Sequence, residues 1–219
     1  MLNEAATVDD LLDHLAQQAV DEVIVVDGGS TDGSAERVAA RDQVRLIRSP
    51  RGRGAQLRAG ADASSADALL FLHADTRLPP AGVTLVRDAL RAGAAGGAFR
   101  LRFDRNSPML SVYAWATRFE TGLTTFGDAA IFVRRQAYEQ VGGFPPWPIL
   151  EDVELRRRLK RVGPFVKLRA AATTSARRFR DEGVLRRQML NAAILSAFHL
   201  GVGPHRLARL YATRRSRPH

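Results

Sequence analysis

Short apolar runs alternate with longer amphipathic stretches through the first half of the chain. Residues 22–26 (EVIVV), 44–48 (VRLIR) and 68–72 (ALLFL) read as strands. Between them the 3.6-residue period predicts helices. One covers 4–18, with Val8, Leu11, Leu12 and Leu15 on one face and Asn3 as N-cap. Others run from the Asp27-Gly28-Gly29-Ser30 turn to about Arg41, from the Pro50–Gly54 loop to about Ala63, and over 80–92. Continuous apolar strands alternating with helices predict a parallel α/β sheet covered on both faces.

The pattern then changes. Residues 98–103 (AFRLRF) alternate strictly, which predicts a half-exposed strand with Phe99, Leu101 and Phe103 on one face and Arg100 and Arg102 on the other. A helix over 109–121, a strand over 129–133, a helix opening at Glu151-Asp152, a strand over 165–169 and a helix over 182–199 follow, before an arginine-rich tail. With neither repeat nor linker, one domain over 1–219 is expected: a ligand-binding half (1–103), a catalytic half (104–200) and a basic tail (201–219). An α/β domain of this kind normally opens on a strand, whereas here a helix begins almost at Met1.

Composition narrows the function classes. The absence of cysteine excludes a disulfide scaffold, thiolate metal sites and a cysteine nucleophile. The longest apolar stretches, about five to seven residues, fall short of the roughly 20 that span a bilayer. No charged-then-apolar signal segment opens the chain, so a cytoplasmic enzyme or binding domain is expected. The net charge is +10, and only Lys160 and Lys167 of the basic residues are lysines. Arginine favours planar anions such as phosphate and carboxylate, but its excess over lysine equally fits a bias in base composition.

Ligands of open parallel sheets bind beyond the carboxyl ends of strands. Asp27 ends the first apolar run and Asp75 follows the third. Either alone reads equally as a loop aspartate capping the next helix, but the shared position points to one crevice. Gly28 and Gly29 suit close backbone approach, and Ser30 and Asp32 suit a helix start. His73-Ala74-Asp75 sets an imidazole and a carboxylate two residues apart, fit for a divalent cation or a ribose; His73 equally fits a structural histidine. Arg53-Gly54 precedes a helix whose amides could hold a phosphate. The loop is neither a P-loop nor G-x-G-x-x-G, since Leu57 stands at the third glycine's place. Glu151-Asp152 suits a first helical turn, and Arg177-Arg178 would clamp a diphosphate or solvate a loop.

The ordered set VIVVDGGSTDGS, RGRGAQLRAG, LLFLHADT, FGDAAIFVRR and GGFPPWPILEDVELRRRL resembles a family 2 glycosyltransferase of the GT-A fold. It is especially similar to short bacterial transferases of radical-SAM/selenoprotein-type gene neighbourhoods. The resemblance covers about residues 2–217 and implies an α/β, Rossmann-like nucleotide-diphospho-sugar transferase, its central sheet mostly parallel and flanked by helices. It implies an inverting, metal-dependent transfer of a sugar from a UDP-type donor to a hydroxyl acceptor. Asp27 resembles the aspartate that reads uracil, with Gly28 where a second aspartate is frequent. Arg53 and Gly54 match a basic-Gly element near the nucleotide. Asp75 matches the last acid of D-x-D, the ligand for Mg²⁺ or Mn²⁺, and His73 stands where its first acid would be. Asp152 matches the catalytic base of the E-D motif. Gly127-Asp128 and Glu151 match the acceptor side, and Arg177-Arg178 a late basic element near the phosphates.

Relatives begin on an apolar strand ending in Pro-x-x-Asn-Glu, which lines part of the nucleotide pocket, and this chain starts at Leu2-Asn3-Glu4. A misassigned start or truncated gene is the expectation this raises. A sugar-nucleotide nucleotidyltransferase would want a G-x-G-T-R-L-type loop near its start, which is absent. A nucleic-acid-binding protein would want aromatic-basic interleaving, and aromatics make up only 7%; no nucleic-acid partner is expected. Val184, Leu185, Met189, Ala193, Ile194 and Phe198, flanked by arginines, read in two ways. They form an amphipathic helix on an anionic membrane, suiting a lipid-linked acceptor at the inner membrane face, or a helix packed on the domain's own core.

Overall fold

The computed structural model describes residues 1–105, 114–115, 129–176 and 184–215, with side chains described for all of these except 184–188 and 211–215. In chain order the elements are α1 (Val8–Ala16), β1 (Val23–Asp27), α2 (Ser34–Ala39), β2 (Val44–Arg48), α3 (Arg53–Ala63), β3 (Ala68–Phe71), β4 (Thr76–Arg77) and α4 (Gly82–Arg91). They continue as β5 (Gly96–Phe103), β6 (Ile131–Arg134), α5 (Arg135–Gln140), α6 (Glu151–Leu159), β7 (Phe165–Thr174), α7 (Val184–His199) and α8 (Pro204–Arg215).

The α/β layering holds, but the sheet is mixed rather than mostly parallel. β1 pairs with β2 in parallel, and the other five strands run in the order β3-β6-β5-β7-β4. Within the five, only β5 and β7 are parallel; β3–β6, β5–β6 and β4–β7 are antiparallel. The apolar runs of the first half marked buried strands, and that pattern carries no information on which strand lies beside which.

Two packed layers cover the larger sheet. Leu155 and Leu159 of α6 join Leu101, Phe103, Ile131 and Val133 on one face. Val83, Val86 and Leu90 of α4 join Phe99 and Phe132 on the other. This corrects the single face expected for Phe99, Leu101 and Phe103. The β5–β7 register slips between Phe99 and Arg100, where Phe99 pairs with Leu168 and Arg100 with Ala171. Arg169 and Ala170 of β7 lie between these two partners, so the ladder is irregular where Phe99 and Leu101 part to the two layers.

α1 starts later than its apolar pattern suggests. Thr7, not Asn3, flanks it, because Asn3 has a left-handed φ of 54° and serves the loop after β1. α5, the short β4 and α8 were not foreseen; α8 occupies most of what read as a basic tail. β1, expected to be buried throughout, leaves Val23, Ile24 and Val25 half-buried. It shares no ladder with the five-stranded sheet. Its edge away from β2 is met by Met1, whose ammonium donates to the Val26 carbonyl and whose carbonyl accepts from the Gly28 amide.

One acid anchors α6 electrostatically. Glu154 is buried and accepts from Arg157 Nε and Nη2 at 2.7 and 2.8 Å and from Arg158 Nε at 2.7 Å. Burial alone would raise its pKa, but the two guanidiniums outweigh that and hold it below the ordinary 4.5. The folded value lies below the unfolded one, so the stabilisation is complete above that ordinary value and is lost as pH falls through the folded value. Glu154→Gln is expected to be less stable than the parent chain at pH 7, with the gap closing towards pH 3. Urea denaturation at both pH values checks this, and a gap independent of pH would count against it.

Candidate active site

The turn after β1 is built by local acceptors. Asp27 is buried and accepts from the Gly29 and Ser30 amides at 3.2 Å and from Ser30 Oγ at 2.6 Å. Burial by itself would raise its pKa. The Ser30 hydroxyl and amide, the Gly29 amide and the Met1 ammonium outweigh that and hold it low. Asp27 does not cap the next helix, since α2 starts behind Gly33 with no side-chain cap; its carboxylate is turned into its own loop instead. Asp32 accepts from the Ser34 amide at 3.1 Å and from the Ser34 hydroxyl in a very short bond. The chain start is laced to this turn. Thr31 N donates to Asn3 Oδ1 at 2.9 Å, Asn3 N to Ser30 Oγ at 3.0 Å, Glu4 N to Ser34 Oγ at 2.8 Å and Ala5 N to Asp32 Oδ2 at 3.0 Å. Asn3 and Glu4 thus sit together with Ser30 and Asp32, 26 or more residues further along the sequence.

Gln56 is a residue that sequence reasoning missed. Its Nε2 donates to the Met1 carbonyl at 2.7 Å and the Val26 carbonyl at 3.2 Å. A Cβ on Gly28 would lie 2.9 Å from that nitrogen, so the carboxamide fills the space beside Gly28. The only signal was its place in the first turn of α3, three residues after Arg53. Gln56→Ala is expected to cost about 1–2 kcal/mol, from lost hydrogen bonds to part-buried carbonyls. A thermal melt unchanged from the parent would contradict this.

The other wall joins three distant segments. α3 begins at Arg53 behind Gly52, whose φ of 147° turns the chain into the helix. A Cβ on Gly54 would sit 3.1 Å from the Trp147 carbonyl, 3.2 Å from that of Pro145 and 3.4 Å from Glu151 Cβ. Glycine there lets the start of α3 lie directly on the loop that leads into α6. Leu150 adopts a left-handed φ of 63° and sets Glu151 and Asp152 in the first turn of α6, where the helix dipole favours acids. Both are buried. Arg53 Nε lies 3.1 Å from Glu151 Oε1, a contact of charges rather than an aligned hydrogen bond, and Nη2 lies 3.8 Å from Asp152 Oδ2. Arg53 Nη2 is also 2.6 Å from His73 Nε2. Arginine only donates, so this contact makes Nε2 the acceptor and places the imidazole proton on Nδ1.

Asp75 follows on the same loop. Its backbone carbonyl accepts from Ser175 N at 3.1 Å, while Thr76, with no exposed surface, hydrogen-bonds Thr174 across the β4–β7 pair. β4 and β7 thereby set the position of Asp75. Among the described residues no group of three or more His, Cys, Asp or Glu gathers to hold a metal ion. One carboxylate still suits a hard cation that takes its remaining oxygens from phosphate and water, so Asp75 fits Mg²⁺ or Mn²⁺. Gly127, Asp128, Arg177 and Arg178 lie outside the described residues.

At the C-terminal end both open readings find residues. Leu195 is buried and Phe198 meets Trp147 edge-on with ring centroids 5.8 Å apart. Met189, Leu200 and Leu210 are exposed. Among the described residues no helix is long and apolar enough to cross a membrane.

The family model of glycosyl transferase family 2 matches residues 1–142. No curated protein matches the chain. Among solved structures the chain is similar to a mannosyltransferase from Pyrobaculum calidifontis in complex with GDP-Man and Mn²⁺. Identity is 18%, coverage 99% of this chain and 77% of that one, and the TM-score 0.66. It is also similar to glucosyl-3-phosphoglycerate synthase from Mycobacterium tuberculosis, in complex with Mn²⁺, UDP-glucose and phosphoglyceric acid, at 19% identity, 87% and 75% coverage and a TM-score of 0.59. Mannosyl-3-phosphoglycerate synthase from Rubrobacter xylanophilus follows at 17% identity, 92% and 72% coverage and a TM-score of 0.57. At these identities the likeness to solved structures is one of fold.

Proposed function

The chain belongs to glycosyl transferase family 2, and on that premise we propose that it is an inverting, metal-dependent transferase moving a sugar from a UDP-type donor to a hydroxyl acceptor. The observation that carries this reading is Arg53, which reaches both His73 beyond β3 and Glu151-Asp152 at the start of α6. A donor-side loop and a candidate base thus meet at one guanidinium.

In this reading Asp152 takes the proton of the acceptor hydroxyl as its oxygen bonds to the anomeric carbon. The bond from that carbon to the diphosphate oxygen breaks on the opposite face, so configuration inverts and no covalent enzyme intermediate forms. Arg53 and the amides at the start of α3 stabilise the departing diphosphate. Asn3, Glu4, Asp27, Gly28, Gly29, Ser30 and Asp32 form the nucleoside end, with the Asp27 carboxylate leaving its turn to meet a base. Asp75 would hold a divalent cation, which when bound neutralises diphosphate charge. Gly127, Asp128, Arg177 and Arg178 complete the acceptor and phosphate side.

Exposed Met189, Leu200 and Leu210 beside exposed Arg206 and Arg209 support a peripheral contact with an anionic membrane, and with it a lipid-linked acceptor at its inner face. The motif order supports the radical-SAM/selenoprotein-neighbourhood subgroup.

Thermal denaturation with UDP, GDP and their sugar derivatives, with and without Mn²⁺, tests the reading. A saturating donor at about 100 times its Kd should raise the midpoint by about 5–10 °C, and only with the metal. The sugar giving the largest rise names the donor. No rise with any nucleotide would overturn it.

A further inference from the structure

Glu151 has a chemistry of its own. Its side chain is 2% exposed, against 7% for Asp152. Its carboxylate faces Arg53. Asp152, the next residue, lies 3.8 Å from Nη2 of the same guanidinium, whose Nε is nearest to Glu151. Neighbours on a helix do not face one another, so one cation meeting both must lie across the first turn of α6. The Gly54 approach to the Trp147 and Pro145 carbonyls brings it there. About a third of the Arg53 side chain is exposed (34%), which leaves part of it open to solvent.

We infer that Arg53, anchored by Glu151, is a positioning residue for Asp152. The buried carboxylate of Glu151 fixes the guanidinium, and the guanidinium fixes the orientation of the Asp152 carboxylate. Two adjacent acids in one buried turn repel each other, and the guanidinium between them offsets that repulsion. Its planar fork suits the task better than a lysine point charge. This inference rests on the reading of Asp152 as the base.

The test follows release of nucleoside diphosphate from UDP-glucose and GDP-mannose with Mn²⁺, using the full chain. Arg53→Met and Glu151→Gln should each lower kcat about 10–100-fold, the size of effect that a misplaced catalytic group produces. The donor KM should change little, and Arg53→Lys should recover part of the loss. In an Asp152→Asn background Glu151→Gln should cost nothing more, because it acts through that carboxylate, and Arg53→Met should cost less than in the parent chain, keeping only the part owed to its diphosphate contact. A raised donor KM with kcat intact at saturation would overturn the inference, leaving Arg53 as a phosphate ligand alone. Full additivity with Asp152→Asn would also overturn it, as would an unaffected Glu151→Gln.

Asp152→Asn by itself separates the two failures. If it turns over like the parent chain, the base reading is wrong and the inference falls with it. Should neither donor turn over, thermal melts decide the coupling. Arg53→Met should lower the midpoint by several degrees, and adding Asp152→Asn should restore part of that. No restoration would overturn the inference.

Discussion

Asp152→Asn is expected to lower the transfer rate by about 10²–10⁴-fold, the contribution typical of a positioned general base. Asparagine keeps the shape and can still accept from the Val153 amide, as Asp152 Oδ1 now does at 2.8 Å. It cannot take a proton from an acceptor hydroxyl. The loss should appear in kcat, with nucleotide binding retained, because Asp152 lies at the start of α6 and makes none of the hydrogen bonds that build the β1 turn. Initial rates with the donor that the parent chain uses, paired with a thermal shift on the same nucleotide, separate the two. A variant retaining more than about a tenth of the parent rate would remove Asp152 from the role of base.

Asp75→Asn is expected to abolish the metal-dependent part of the thermal shift, removing most of the about 5–10 °C given by donor with Mn²⁺. The reason is charge. Of the two chemistry-bearing side chains of the His73–Asp75 loop, only the carboxylate offers anionic oxygen to a hard cation, and His73 Nε2 is already in contact with Arg53. The fold should survive, since Asp75 is held through its backbone carbonyl and through the β4–β7 pair that follows it. A shift that persists with Mn²⁺ in the variant would place the cation elsewhere. Equal loss of nucleotide binding without metal would make Asp75 a direct nucleotide ligand.

Much of this site was legible because its residues sit at punctuation. Asp27 and Asp75 follow apolar runs, Arg53-Gly54 opens a helix after a glycine loop, and Glu151-Asp152 opens another after Gly142–Pro148. Turn chemistry is local, so a linear reading finds it. Gln56 was not legible, since its partners are backbone carbonyls of Met1 and Val26, which carry no mark in sequence. Nor was the use of Asp27, whose carboxylate is taken up by its own turn. The burial of Glu151 was hidden for the same reason: an acid in a first helical turn looks alike whether solvent or Arg53 faces it.

The sequence by itself determined where most strands and helices lie, which turns are glycine-dependent, and that the motif order is that of family 2. Those features depend on side-chain period and on the conformational needs of single residues. Tertiary structure alone decided that the larger sheet is mixed, that Phe99 and Leu101 join different core layers beside an irregularity in the β5–β7 ladder, and that β1 and β3 share no ladder. It also decided that Arg53 meets Glu151 and Asp152 nearly a hundred residues away. Pairing, register and charge contacts between distant segments depend on which surfaces meet, and hydrophobic periodicity specifies only that each must be covered.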